Sequence, residues 1–225
     1  MKKLVIYSGG LDSTAMALIA NQEKDSQVTL MSFDYGQKAK TELDRAKLFA
    51  EKHGMDIIVQ DISSLKYIFG NTQLTDENTS IQGEYKKDVV VPLRNALFLQ
   101  IAMIYAYTNG YDQVLLGSHL DDCEETNGEM QFPDCSPQFF NAFEEAMDKG
   151  TFKSQKRVEI VSASTLGLGK TDLIQRATCI DAQAIYDSWS CYTSNGCQCG
   201  KCDSCKNRKK AFERAGIEDK TIYEQ

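Results

Sequence analysis

The apolar run Lys3-Leu4-Val5-Ile6 passes directly into Tyr7-Ser8-Gly9-Gly10-Leu11-Asp12-Ser13-Thr14, and that junction leaves few folds open. Two adjacent glycines let a strand turn sharply and aim successive backbone N–H groups into one concavity, around which Ser8, Ser13 and Thr14 add hydroxyls. Leu11, Ala15, Leu18 and Ile19 then recur at helical spacing, so the turn opens a buried helix whose positive end faces the concavity. Strand, anion cradle and helix in this order form the first unit of an α/β sheet with its ligand edge at the strand's carboxyl end. Phosphate is the natural guest. The bland reading is a Ser- and Gly-rich turn with Asp12 as helix N-cap, but it leaves the preceding strand unused.

Further strand-like runs at residues 28–33, 56–62, 114–117 and 158–161 join the first, at 4–7, and helix-patterned segments separate them. That alternation predicts a parallel five-stranded sheet with helices on both faces. A helix over Thr41–His53 buries Leu43, Ala46 and Ala50 and stops at Gly54; another over 94–108 is apolar nearly all round, as a central helix would be, and stops at Asn109-Gly110. Two long irregular stretches, 63–88 and 118–137, are expected to frame the crevice that holds the phosphate, the first as a lid or substrate loop. The expected division is residues 1–180 as the phosphate-binding α/β domain and 181–225 as a cysteine-rich segment with a C-terminal helix.

With a net charge of −7 and a pI near 5.0, the chain advertises no general basic field, so a small-molecule substrate is expected and nucleic acid is not. The opening residues have a strand pattern instead of a secretory signal, and no apolar run is long enough to span a bilayer; a cytoplasmic protein without membrane attachment is expected. Eight cysteines in such a compartment argue for metal over disulfides. Cys199, Cys202 and Cys205 form C-x-x-C-x-x-C, with Cys191 and Cys197 just upstream. A tetrahedral ion takes four thiolates, and the selected set is Cys191, Cys199, Cys202 and Cys205, with Cys197 spare. Zn²⁺ is the expected ion and an iron–sulfur cluster the alternative. Cys123, Cys135 and Cys179 read as small core residues.

The string S-G-G-x-D-S resembles the pyrophosphate loop of the ATP pyrophosphatase group, which adenylates a substrate and releases pyrophosphate. It joins S-G-G-L-D-S-T at 8–14, F-D-Y-G-Q at 33–37, V-P-L-R-N at 91–95, F-P-D-C at 132–135, W-S-C-Y at 189–192 and C-G-K-C-D-S-C at 199–205. Together, and in this order, these pieces resemble the 7-cyano-7-deazaguanine synthase family. The resemblance implies a doubly wound, Rossmann-like sheet of the adenine nucleotide alpha hydrolase-like kind with a small C-terminal zinc-binding segment, acting as a homodimer. It implies a ligase in which ATP and Mg²⁺ adenylate 7-carboxy-7-deazaguanine, ammonia displaces AMP, and a second ATP activates the amide so that loss of AMP leaves the nitrile.

Under that resemblance Tyr7, Ser8, Gly9, Gly10, Leu11, Asp12, Ser13, Thr14, Ala15, Met16 and Ala17 bind ATP, with Phe33 and Tyr35 near the adenosine. Asp12, Arg94 and Lys170 are the catalytic candidates, and Arg94, Asn95 and Asp134 the substrate-binding ones. Two departures stand out: Leu93 replaces the usual glycine of V-P-G-R-N, and G-S-H-L-D-D-C-E-E-T at 117–126 replaces a shorter loop. The latter is similar to the H-x-x-D-D-x-x-E-T string of tRNA-modifying relatives such as thiolases and lysidine synthases, which is the alternative function. A paralogue that attaches the deazaguanine scaffold to another acceptor is the third. His119 stays open between a ligand-facing donor and a solvated loop residue.

Overall fold

A computed structural model describes residues 1–36, 41–69, 91, 93–126, 128–191 and 196–224. In chain order the elements are β1 (Lys2–Ile6), α1 (Leu11–Asn21), β2 (Gln27–Asp34), α2 (Thr41–His53), β3 (Asp56–Asp61), α3 (Arg94–Asn109), β4 (Gln113–Leu116), β5 (Glu125–Thr126), β6 (Glu129–Met130), α4 (Pro137–Gly150), β7 (Glu159–Ser162), α5 (Lys170–Asp187) and α6 (Asp203–Ala215). Five strands form a parallel sheet in the order β3-β2-β1-β4-β7, while β5 and β6 pair as a small antiparallel hairpin. From β1 the chain first winds outward through β2 and β3, then returns to the other side of β1 with β4. The switch in winding direction therefore falls between β1 and β4, where an open α/β sheet leaves a crevice at the strand ends.

Alternation along each strand sorts the apolar side chains onto two faces. Val5, Tyr7, Leu30 and Leu115 pack with α1, α2 and α5, and Leu4, Met31, Phe33, Val114 and Leu116 pack with α3 and α4. Lys3 of β1 is buried although charged: its ammonium reaches the Ala20 carbonyl at 3.2 Å and Glu23 at 2.6 Å. Burying such strands on both faces is what a doubly wound sheet requires, and it accounts for their near-continuous apolar reading.

The predicted helix over Thr41–His53 forms over those residues, with Ala46 and Ala50 buried, but Phe49 takes the third core place and Leu43 is only half-buried. α3 is not central. It lies on one sheet face through Phe98, Leu99, Ala102, Met103 and Ala106 and leaves Ile104 56% exposed; its apolar outer face is simply not all used in packing. Gly110, at φ +70°, ends it, with its N–H on the Ala106 carbonyl. α5 breaks at Asp181 (φ −148°, ψ 94°), whose carboxylate accepts the Ala184 N–H at 3.0 Å and so caps the helix's second half. Ala211, Phe212 and Ala215 of α6 join the same apolar cluster as Val5 and Leu30, so the C-terminal helix packs onto the main core.

Candidate active site

β1 ends one residue before Tyr7, and the chain turns through Gly9 at φ +81°, a conformation only glycine adopts without strain. Gly10 is the N-cap of α1 and supplies no side-chain cap, leaving the first-turn N–H groups of the helix directed outward. The hydroxyls knit the turn together: Ser13 Oγ accepts the Ser8 N–H at 3.2 Å and donates to the Gly10 carbonyl at 3.1 Å, while Ser8 Oγ accepts the Gly10 N–H at 3.2 Å. Beneath it Tyr7 Oη and Thr14 Oγ1 share a buried hydrogen bond of 3.0 Å. Leu11, Ala15, Met16 and Ala17 are wholly buried in the core, so any part they take in holding a ligand is through the backbone.

Asp12, in the first turn of α1, receives the Lys170 ammonium at 3.0 Å from the first turn of α5. His119, only 4% exposed, sits between Asp12 at 3.6 Å and the carboxylates of Asp121 and Asp122 at 3.4 and 3.6 Å. Asp121 also accepts the Lys170 backbone N–H at 2.5 Å, so the loop after β4 is tied to the start of α5. Burial works to raise the Asp12 carboxyl, but Lys170 and His119 outweigh it and hold it below the ordinary carboxylate range. Asp122 goes the other way, raised by burial and by Asp12 against the pull of His119 and Lys170. The two carboxylates are thus pushed in opposite directions by their surroundings. Asp12 Oδ1 and His119 Nδ1 are buried atoms with no hydrogen-bond partner among the described residues, which suits a site completed by a cation or ligand.

A second cluster adjoins the first across the 119–135 stretch. The Arg94 guanidinium lies 5.6 Å from the Tyr35 ring centre and donates to Tyr35 Oη at 3.3 Å, bringing an expected adenosine neighbour and an expected substrate residue together. Phe33 stacks on Phe98 at 4.3 Å inside the core. The Asn95 N–H donates to Asp134 at 3.2 Å, and its side-chain amide donates to Cys135 Sγ at 3.2 Å. Asp134 is raised by burial, partly offset by the Asn95 N–H and the Arg94 charge. Burial pushes the Cys135 thiol up, and the side chain sits in the core.

Cys191, Cys199, Cys202 and Cys205 place their sulfurs within 4.8 Å of one another. Backbone N–H groups of Cys199, Lys201 and Cys202 point at the Cys191 and Cys199 sulfurs at 3.3 to 3.4 Å, as they do around thiolates. The Cys205 thiol is pushed up by neighbouring Cys202 and by burial, a crowding that a bound cation would relieve. The donor set fits a closed four-thiolate metal site, and Cys197 is outside it.

His119, read openly from the sequence, belongs to the site. Sequence reasoning placed Gly117, Asp121 and Trp189 within motif strings without giving Gly117 or Trp189 a role of its own, and gave none to Arg208. A Cβ on Gly117 would come within 2.6 Å of the Asp12 carbonyl carbon and 2.7 Å of the Ser13 nitrogen. The Gly-Ser-His string at a strand end was the available signal; Arg208, on a polar helix far along the chain, offered none. Gln37, Pro92 and Tyr192 of the motifs, with residues 70–88 of the expected lid, lie outside the described residues.

Fold and site together define a Rossmann-like α/β protein with a glycine turn suited to an anion at its switch point and, beside it, a four-thiol cluster able to hold a metal. The family model described as queuosine biosynthesis protein QueC matches residues 2–216, and the chain belongs to that family. It is 34% identical to a 7-cyano-7-deazaguanine synthase of Brucella anthropi over 100% of this chain and 94% of that one. Against a synthase of the same name from Methanosphaera stadtmanae the identity is 35%, over 100% of this chain and 99% of that one. Among solved structures, the U34-tRNA thiolase NcsA from Methanococcus maripaludis with its [4Fe-4S] cluster superposes with a TM-score of 0.49 at 15% identity, covering 96% of this chain and 67% of that one.

Proposed function

We propose that the chain converts 7-carboxy-7-deazaguanine and ammonia to 7-cyano-7-deazaguanine at the expense of two ATP. The observation that carries this reading is the end-to-end similarity to synthases of that name. A carboxylate is a poor acyl donor, so its oxygen first attacks the α-phosphorus of ATP and expels pyrophosphate. Ammonia then adds to the acyl carbon, AMP leaves with the C–O bond, and a proton is shed to give the amide. The amide oxygen attacks the α-phosphorus of a second ATP and expels pyrophosphate, and loss of AMP and of both protons from the nitrogen leaves the C≡N bond. No protein nucleophile is required; catalysis is positioning and charge stabilisation.

In this reading the glycine turn and the start of α1 hold the phosphates, and Lys170 moves from Asp12 toward the developing negative charge. Asp12, whose Oδ1 has no hydrogen-bond partner among the described residues, is the residue suited to Mg²⁺, which would neutralise phosphate charge. Arg94 and Asn95 face the carboxylate, and Asp134 accepts the N–H edge of the deazaguanine. The four thiols would hold Zn²⁺ as a closed structural ion. A cytoplasmic homodimer belongs to the same proposal.

The tRNA-modifying alternative is not favoured, since the relatives that span the chain carry the synthase name. The test is mass spectrometry of products from protein, ATP, Mg²⁺, ammonium and the carboxylated deazaguanine: nitrile together with AMP and pyrophosphate is expected, and ATP left intact with that substrate rejects the reading. Lys170→Ala should lower turnover by about a hundredfold or more in the same assay, the scale of losing one charge stabiliser.

A further inference from the structure

The segment leaving α5 runs as a strap between the glycine turn and the cysteine cluster. Ser188 ends the helix in an extended conformation. The Trp189 N–H donates to the Gly9 carbonyl at 2.8 Å, and a Cβ on Gly10 would lie 3.5 Å from the Trp189 carbonyl oxygen, so this backbone abuts both glycines. Two residues on, Cys191 is fully buried among the other thiols, and the Trp189 indole N–H donates to its carbonyl at 2.7 Å. The Gln198 side chain, one residue before Cys199, clamps the strap by donating to the Ser188 carbonyl at 3.0 Å and accepting the Ser190 N–H at 3.2 Å.

Arg208 is the largest fully buried side chain among the described residues, and it grips the same strap. Its guanidinium donates to Ser188 Oγ at 2.9 Å, Ser190 Oγ at 3.0 Å and the Ile185 carbonyl at 2.5 Å, and Nε donates to Thr221 Oγ1 at 3.0 Å. These acceptors are neutral oxygens. The Asp219 and Asp12 charges favour the guanidinium from further off, but a buried charge whose direct partners are neutral oxygens is costly, so the hydrogen-bond geometry around it matters. That geometry comes from α6, whose N-cap is Cys202 and whose first turn carries Cys205, one turn before Arg208 on the same helix face. An ion bound by the thiols therefore fixes the start of the helix that carries Arg208.

We propose that Arg208 and Trp189 are positioning residues for the phosphate-binding turn, and that metal occupancy of the four-thiol cluster sets nucleotide affinity through them. The inference rests on the reading that this turn holds ATP. Trp189 is the single tryptophan of the chain, so its emission reports on the strap directly.

The experiment measures ATP affinity by Trp189 fluorescence, and zinc content by chelator titration, for the zinc-loaded protein, the stripped and re-zinced protein, and Arg208→Met, Arg208→Lys and Gln198→Ala. Stripping is expected to red-shift Trp189 and weaken ATP by about tenfold, the usual size of coupling between two sites, with recovery on zinc return. Arg208→Met and Gln198→Ala should keep their zinc yet raise KM for ATP more than they lower kcat, and Arg208→Lys should recover part of the loss. If Arg208→Met does not fold, Gln198→Ala carries the decision. Wild-type ATP affinity in the stripped protein or in the folded, zinc-loaded Gln198→Ala variant overturns the proposal. A zinc-loaded wild type that binds no ATP removes the nucleotide reading itself. A failure of coupling alone instead leaves ATP binding intact and Trp189 emission indifferent to zinc.

Discussion

Gly117 has room for nothing larger than a hydrogen, because the backbone of Asp12 and Ser13 stands where its Cβ would be. Gly117→Ala must push the phosphate turn away from β4, and the expected outcome is a loss of ATP turnover much larger than the loss of folded protein by thermal melting. Leu93 shows the opposite economy. It holds φ +56° directly before Arg94, a conformation that costs an L-residue about 1–2 kcal/mol. Leu93→Gly should therefore raise unfolding free energy in urea by about 0.5–1 kcal/mol once the extra freedom of glycine in the unfolded chain is subtracted. At this scale the sequence disclosed what is local. Ser8 to Thr14 and the thiols of Cys199, Cys202 and Cys205 were legible from spacing, while the fourth thiol stood between Cys191 and Cys197. The meeting of Arg94 with Tyr35, of His119 with Asp12, and of Arg208 with Ser190 depends on side chains brought together by winding, which no spacing records.

α2 and the kink of α5 meet through one histidine. His53 lies tilted against Phe49 with ring centres 4.3 Å apart and is 3.6 Å from Asp181, the residue that caps the second half of α5. Burial depresses the His53 imidazole below its ordinary 6.5, against the opposing pull of Asp181. A depressed value in the fold means that the unfolded chain takes the proton more readily. His53 thus supports folding fully above about pH 6.5, and that support is lost as the pH falls through this value toward the lower one in the fold. His53→Gln should flatten the decline in melting temperature between about pH 7 and pH 5.5 relative to wild type; parallel curves would exclude the assignment. Elements with a strong period, such as α2, could be placed from sequence. The hairpin of β5 and β6 could not, since strands of two residues carry no period, and the apolar girth of α3 could not say which side would meet the sheet.

Across the whole molecule, the sheet order brings the turn after β1 and the loop after β4 to one edge, and α5 and α6 lean the cysteine cluster against it. The five strands were readable from their apolar runs, but not their order, because parallel neighbours are separated by whole helices. Since Ala211, Phe212 and Ala215 share the main core, metal removal should lower the midpoint of a single cooperative unfolding transition; two separate calorimetric transitions would show that the C-terminal segment melts alone. The chain's last described turn is pinned there too: the Glu224 N–H donates to the Gln198 carbonyl at 2.9 Å and Tyr223 pairs with Gln198 in an isolated bridge. A histidine-rich purification tag fused behind residue 224 would hang beside four sulfurs and compete for their ion, so a handle at the opposite terminus is the safer choice for preparing metal-replete protein.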